Sequence, residues 1–297
     1  MIPKNCQWVD GWVSFRGNNV VPRIDYIDNK FLDVPYGDDP LQVMDIYLPN
    51  AEIIPRPVFI LIHGGGFSHC DKRDFHLYPG FFALERGYTL VSINYRLAPQ
   101  NPYPDGLNDV KSAMIWICEH AKDYGFDPDR LFLFGPSAGG NFSALAALQS
   151  ADFLRNKGTV RAAAALCPAA DLVNIRKHYQ SIPNRTPFLR LLLEHMFRQY
   201  FGSRYKDAAL LEQASYMPYV HKGIPPMYLQ IGDKDPLIPL QDVQQMYQQL
   251  REVIGEENVV MDVIPGGTHS GGDENYYLRE NITRILDFFA RYEHVPY

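Results

Sequence analysis

The chain has 297 residues, 46% hydrophobic and 21% charged, with a formal net charge of −6 at pH 7. That balance argues against a nucleic-acid partner, no apolar run reaches the roughly 18 residues of a membrane span, and residues 1–20 lack the apolar core of a signal peptide. The four cysteines, Cys6, Cys70, Cys118 and Cys167, lie far apart with no C-x-x-C pair, which predicts free thiols in a soluble, cytoplasmic protein.

In chain order, residues 23–37 and 42–49 alternate apolar and polar positions, which predicts an antiparallel strand pair. Buried strands follow at 58–63 (VFILIH), 89–95 (TLVSINY) and 131–134 (LFLF), then at 160–167, 227–231 and 259–264. Their β-branched and aromatic content, bounded by Gly or Pro, favours strand; the alanine-rich 160–167 favours it least. Between them, Leu107, Val110, Met114, Ile117, Cys118 and Ala121 form one helical stripe over 105–122, and similar stripes cover 239–253 and 273–292. This alternation predicts an α/β fold, a single domain over 1–297 with a mostly parallel central sheet and helices on both faces. Residues 171–216 break the rhythm with the apolar stretch FLRLLLEHMFRQYF, read either as a helical cap or as a helix packed on the core. In the cap reading, Phe188, Leu191, Leu192, Met196, Tyr200 and Phe201 are available to line an acyl pocket.

Two glycine-rich motifs carry the chemistry. In LFLFGPSAGGN, residues 131–141, a strand runs into Gly-x-Ser-x-Gly and then a helix-forming segment, 138–150. A nucleophilic serine needs such a sharp turn, with small neighbours and helix N–H groups facing the reacting centre. The same Ser137 could instead be a helix N-cap. HGGGF, residues 63–67, places backbone N–H groups at the end of another strand, where they can donate to an oxyanion. It lacks the G-K-[ST] of a phosphate loop and the G-x-G-x-x-G of a dinucleotide fold. A base and its orienting acid should follow the last two strands. His269, in PGGTHSGGD, occupies the first position, and Asp235 or Asp233, in GDKDPL, the second. Asp235 is favoured because Pro236 biases it to an extended conformation. The order Ser137, Asp235, His269 is that of the α/β-hydrolases. His63, His69, Cys70, Asp71, Asp74 and His76 crowd one loop, but their spacing matches no standard zinc pattern, so no metal and no cofactor are expected.

Together HGGGF, NYRLAPQNPYPDGLNDV, GPSAGGN, DKDPL and GGTHSGG resemble the hormone-sensitive-lipase-like branch of α/β-hydrolases, which holds acetyl esterases and carboxylesterases. The resemblance spans roughly residues 30–292 and is weakest at 171–216. It implies Ser137 as nucleophile, Asp235 as orienter and His269 as base. It further implies an oxyanion hole from the Gly65, Gly66 and Ala138 amides, with the YRLAP segment bracing the loops. Phe67, Met196 and Phe201 are the expected substrate contacts. One departure is Pro136, where this branch usually has an acidic residue. The expectation is a serine esterase for short acyl esters, with a small-molecule ester as its partner and room for a homo-oligomer. An arylformamidase, a small peptidase or a non-catalytic ligand-binding protein on the same fold are the alternatives. The base is expected to titrate near pH 6–7, close to an ordinary histidine.

Overall fold

The structure, a computed structural model, describes residues 22–50, 54–181, 187–270 and 274–294, with the backbone alone at 187–189 and 274. Its framework is a sheet of eight strands: β1 (Lys30–Pro35), β2 (Val43–Tyr47), β3 (Arg56–Ile62), β4 (Thr89–Ile93), β5 (Phe126–Pro136), β6 (Val160–Leu166), β7 (Met227–Gly232) and β8 (Val259–Ile264). Their spatial order is β1-β2-β4-β3-β5-β6-β7-β8. The first two strands form the expected antiparallel pair, β2 also runs antiparallel to β4, and all other neighbours are parallel. The central strands are apolar on both faces because helices cover both; Val58–Ile62 are completely buried.

The helices are α1 (Tyr78–Glu85), α2 (Asp105–Glu119), α3 (Ala121–Tyr124), α4 (Ala138–Leu148) and α5 (Ser150–Leu154). They continue as α6 (Leu172–Ser181), α7 (Pro187–Phe201), α8 (Ala208–Gln213), α9 (Leu240–Ile254) and α10 (Arg279–Ala290). α1 packs with α10 and α2 with α4, while α9 covers β7 and β8. Among the segments that break the alternation, α6, α7 and α8 fill the insertion at 171–216.

Three expected boundaries shift, each for a local reason. The stripe over 105–122 divides at His120, whose backbone N–H and ring Nδ1 both approach the Trp116 carbonyl, at 3.0 and 2.9 Å, and close α2. The stripe over 273–292 begins as a short 3₁₀ turn, and α10 starts only after the extended residue Leu278. The LFLF strand lengthens to eleven residues by adding the 126–130 approach and Gly135 and Pro136 at its end. β6 is a strand despite its alanines because α4 lies directly against it. The Ser143 hydroxyl donates to the Ala164 carbonyl at 3.1 Å, and larger side chains would push the helix away.

The parallel register brings the carboxyl ends of β5, β6, β7 and β8 to one edge, where Ser137, Cys167, Asp235 and His269 follow. Ligand sites of open α/β sheets lie outside such ends. Beside them, Asp242 in the first turn of α9 is half-buried with one oxygen unpartnered among the described residues. Burial, and next the Asp171 carboxylate, push its pKa up to about 6. The folded state therefore holds this proton more tightly than the unfolded chain, and the ionised carboxylate destabilises the fold above that pH. Asp242→Asn should raise the melting temperature at pH 8 by about 2–4 °C. The gain, read by scanning calorimetry, should shrink as the pH falls below about 6.

Candidate active site

Ser137 joins β5 to α4 with φ 54° and ψ −119°, a conformation that costs a non-glycine residue about 1–3 kcal/mol. The turn is pinned from both sides: Ser137 N–H donates to the Leu166 carbonyl at 2.8 Å, and Asn141 N–H donates to the Ser137 carbonyl at 3.0 Å. Its side chain makes no capping bond to α4, which removes the N-cap role. The small neighbours are a packing requirement, since a Cβ at Gly139 would lie 2.1 Å from the Ile62 carbonyl oxygen. Pro136 leaves the turn intact and stays in register with Leu166 on β6.

The strained turn aims Ser137 Oγ at His269, whose Nε2 lies 2.8 Å away. The other ring nitrogen, Nδ1, lies 2.8 Å from Asp235 Oδ2. A carboxylate only accepts, so Nδ1 carries the proton and Nε2 is left to accept from the serine hydroxyl. Asp235 Oδ1 accepts the Leu237 and Ile238 N–H groups at 2.8 and 3.0 Å, which fixes the carboxylate plane. Asp233 is exposed, and its Oδ1 accepts the Gly266 N–H at 2.7 Å in the loop leading to the histidine. Burial alone lowers the pKa of His269; the Cys167 sulfur and the Asp235 carboxylate outweigh it and hold the imidazole well above its ordinary value. For His269 these neighbours act against the near-ordinary value of pH 6–7 expected from sequence.

The HGGGF loop is held by its neighbours more than by itself. The His63 ring stacks on Tyr95 at 4.3 Å and sits 2.8 Å from the Gly64 carbonyl, and burial lowers its pKa so that it stays neutral. Tyr95 donates to the His63 carbonyl at 3.0 Å, and Ala98 N–H donates to the Phe67 carbonyl at 2.9 Å. The YRLAP segment therefore does brace this loop. It is anchored in turn by Arg96, which grips the buried Asp109 with Nε and Nη2 at 2.9 and 2.8 Å. Beyond the loop, Asn94 accepts from Lys72 N–H at 2.6 Å and donates to Asp71 at 2.7 Å. Gly65, at φ +107°, makes the reversal, and its carbonyl accepts from Ser68 and His69.

Gly66 and Ala138 face one cavity of about 40 Å³ together with Ser137 and His269. Phe67, Met196 and Phe201, the expected substrate contacts, also line it. Met196 reaches furthest in, with its methyl 2.9 Å from where a Gly66 Cβ would stand. The wider expectation for α7 needs correction. Leu191 is 65% exposed, and Leu192 does not line the cavity; Leu193 and Phe197 do, beside Met196, Tyr200 and Phe201. The face turned inward recurs every three or four residues, so adjacent leucines cannot all share it. The Phe188 side chain lies outside the described residues.

One neighbour of the site was not singled out from sequence. Cys167, at the end of β6 with φ +38°, places its sulfur 2.7 Å from the Ser270 hydroxyl and next to His269. Its place at a parallel strand's carboxyl end was the available signal. Under the HGGGF loop, His76 Nδ1 lies 2.8 Å from Asp74, and both are buried. With Cys70 they bring three potential ligand atoms within 4.8 Å, a subset of the loop residues that the sequence marked as crowded although their spacing matches no standard zinc pattern.

A serine, an aspartate and a histidine after β5, β7 and β8 of a mostly parallel sheet, in this order, define an α/β-hydrolase. The model of the BD-FAE family matches residues 44–250, and the chain belongs to that family. Among curated relatives, "Esterase LipQ" of Mycobacterium tuberculosis is 33% identical over 80% of this chain and 56% of its own length. The chain spans little more than half the length of the first curated relatives it matches. Among solved structures, a "Truncated form of carbohydrate esterase from gut microbiota" superposes with a TM-score of 0.78 at 20% identity, over 93% of this chain and all of that one. A "Bacterial Heroin Esterase" gives 0.73 at 23% identity, over 90% and 84%. At such identities these two likenesses carry the fold.

The geometry ranks the two aspartates. Asp235→Asn should lower kcat by about four orders of magnitude, because an amide supports the wrong imidazole tautomer. Asp233→Asn should change it by less than about tenfold, acting only through the loop. Steady-state ester hydrolysis on both variants, with circular dichroism to verify folding, checks the order.

Proposed function

We propose that this chain is a serine-dependent carboxylic ester hydrolase for short acyl groups, with α6–α8 as a cap over the acyl site. The observation that carries it is the unbroken Ser137–His269–Asp235 hydrogen-bond chain, with both links at 2.8 Å, at the mouth of a small apolar cavity. Ser137 Oγ attacks the ester carbonyl as His269 Nε2 takes its proton, and Asp235 stabilises the resulting imidazolium. The negative charge that develops on the carbonyl oxygen falls to the Gly65, Gly66 and Ala138 amides, the last at the N-terminus of α4. Collapse expels the alcohol with the proton held on His269 and leaves an acyl-serine. A water deprotonated by His269 then releases the acid.

The preference for a short acyl group is supported by the lining: Leu193, Met196, Phe197, Tyr200 and Phe201 crowd the small apolar cavity beside Ser137. Curated relatives named as esterases support ester chemistry, and no step above calls on a metal or cofactor. A cytoplasmic setting is supported by the free thiols of Cys70, Cys118 and Cys167. Among the described residues no helix is long and apolar enough to cross a membrane.

A series of nitrophenyl esters from acetate to hexanoate, paired with anilides, tests the reading. Turnover should be highest on acetate and should vanish in Ser137→Ala, which loses roughly a million-fold in kcat. Preference for anilides would favour an amidase. In Met196→Ala the hexanoate-to-acetate ratio of kcat/KM should rise by about tenfold, the worth of one or two methylenes in an apolar pocket.

The pH profile tests the base without a mutation. Only neutral His269 accepts the serine proton, and its pKa is raised. The acid limb of kcat/KM should therefore have its midpoint above 6.5, with activity lost below it and full well above it. A midpoint at or below 6.5 would contradict the electrostatics of the site.

A further inference from the structure

Beside the triad lies a buried sulfur that ester hydrolysis does not require. One ligand atom each from Cys167, Asp235 and His269 gathers within 4.8 Å. The thiol is completely buried and does not line the cavity, whereas His269, with its side chain 12% exposed, does. We infer that Cys167, Asp235 and His269 form an inhibitory site for a thiophilic divalent cation of the zinc class, entered from the acyl cavity. The inhibitory part of this inference rests on His269 being the base of the proposed reaction.

The donor set fits zinc in kind and in reach. Thiolate, imidazole and carboxylate together select Zn²⁺ or Cd²⁺ over Mg²⁺ or Ca²⁺, which want oxygen. Tetrahedral zinc holds such ligands about 3.3–3.7 Å apart, so the 2.8 Å His269–Asp235 contact opens slightly while the sulfur closes in. Asp235 keeps its Oδ1 bonds to the Leu237 and Ile238 amides and offers Oδ2. The Ser270 hydroxyl, 2.7 Å from the sulfur, is within reach of a fourth position.

Charge balance favours occupancy. With Zn²⁺ on Oδ2, Nδ1 and Sγ, any proton on those atoms passes to solvent, and carboxylate, neutral imidazole, thiolate and cation sum to zero. A buried cluster without net charge avoids most of the desolvation cost that an isolated ion would meet. The same bookkeeping explains the loss of activity. The ion takes Nδ1, so the proton of the neutral ring moves to Nε2. That is the reverse of the tautomer the reaction needs, because Nε2 no longer has a lone pair for the serine proton.

The second gathering, Cys70, Asp74 and His76, is a built-in control. It does not line the cavity, and its carboxylate already accepts the His76 and Asp71 N–H groups. Each protein's ester turnover is measured against its own metal-free rate. Zn²⁺ and Cd²⁺ should inhibit the wild type and EDTA should restore it, while Mg²⁺ has no effect. Cys167→Ser should raise the half-inhibitory Zn²⁺ concentration by roughly 100-fold or more, and Cys70→Ser should leave it in place. Cys167→Ala gives the same reading should the serine variant fold poorly. Co²⁺ provides a second readout that needs no turnover. Its sulfur-to-metal absorption in the near ultraviolet should appear in the wild type and in Cys70→Ser and be lost in Cys167→Ser. Undiminished zinc sensitivity in Cys167→Ser, or an absorption band that follows Cys70, overturns the assignment. A Cys167-dependent band with turnover unaffected overturns the inhibitory role. Metal-free protein without esterase activity counts against the proposed function alone, since the cobalt band is independent of it.

Discussion

Everything at this site hangs on one unfavourable residue conformation. Ser137 sits at positive φ because the chain must turn from the buried end of β5 directly into α4, with no room for a loop. The cost is small beside the packing that enforces it: Gly139 lies against the Ile62 carbonyl, and the Leu166 carbonyl holds the serine N–H. Relaxing the turn would mean lifting α4 off the sheet. The hydroxyl is therefore presented before any substrate arrives, and His269 and Asp235 need only meet a fixed point.

Around that point the neighbouring parts are held by different kinds of contact. Backbone amides orient the Asp235 carboxylate, so its direction depends on the chain path through Pro236 rather than on a side-chain partner. The HGGGF loop depends instead on side chains from the segment after β4, with Tyr95 below it and Asn94 tying the stretch that follows. That stretch ends in a charged knot where Arg73 forms an ion pair with the buried Asp45 on β2. The antiparallel edge of the sheet thus takes part in positioning the HGGGF loop, although it is remote in sequence from the serine.

The sheet and the triad were legible because both are written in local patterns. Five apolar residues ahead of a glycine-rich loop, as in VFILI before His63 and its glycines, describe a strand covered on both faces, and a serine between small residues describes the turn. Asp235 could be separated from Asp233 because proline restricts its predecessor. The helical insertion at 171–216 could be located but the inner face of its long helix was misread. FLRLLLEHMFRQYF is apolar over most of its circumference, and only the packed helix shows that Leu193 and Phe197 face the cavity while Leu191 faces out. Cys167 had no pattern to announce it. Its closeness to His269 exists only because β6 and β8 end at the same edge, two strands apart.

The cap is fastened to the body of the protein in a way that affects how substrate range can change. Tyr103, just before α2, donates its backbone N–H to the Tyr200 carbonyl at 2.7 Å and its hydroxyl to the Gln213 carbonyl at 2.9 Å. Tyr200 itself stacks on Phe67 at 3.7 Å. The roof over the serine is thereby joined to both the α2 entry and the oxyanion loop, and moving it would disturb all three. Met196 belongs to the same helix but occupies the interior with an unbranched, readily rearranged side chain. On the proposed reading, acyl-length preference among descendants of this chain can drift by exchange at that one position while the backbone bonds around the serine are inherited unchanged.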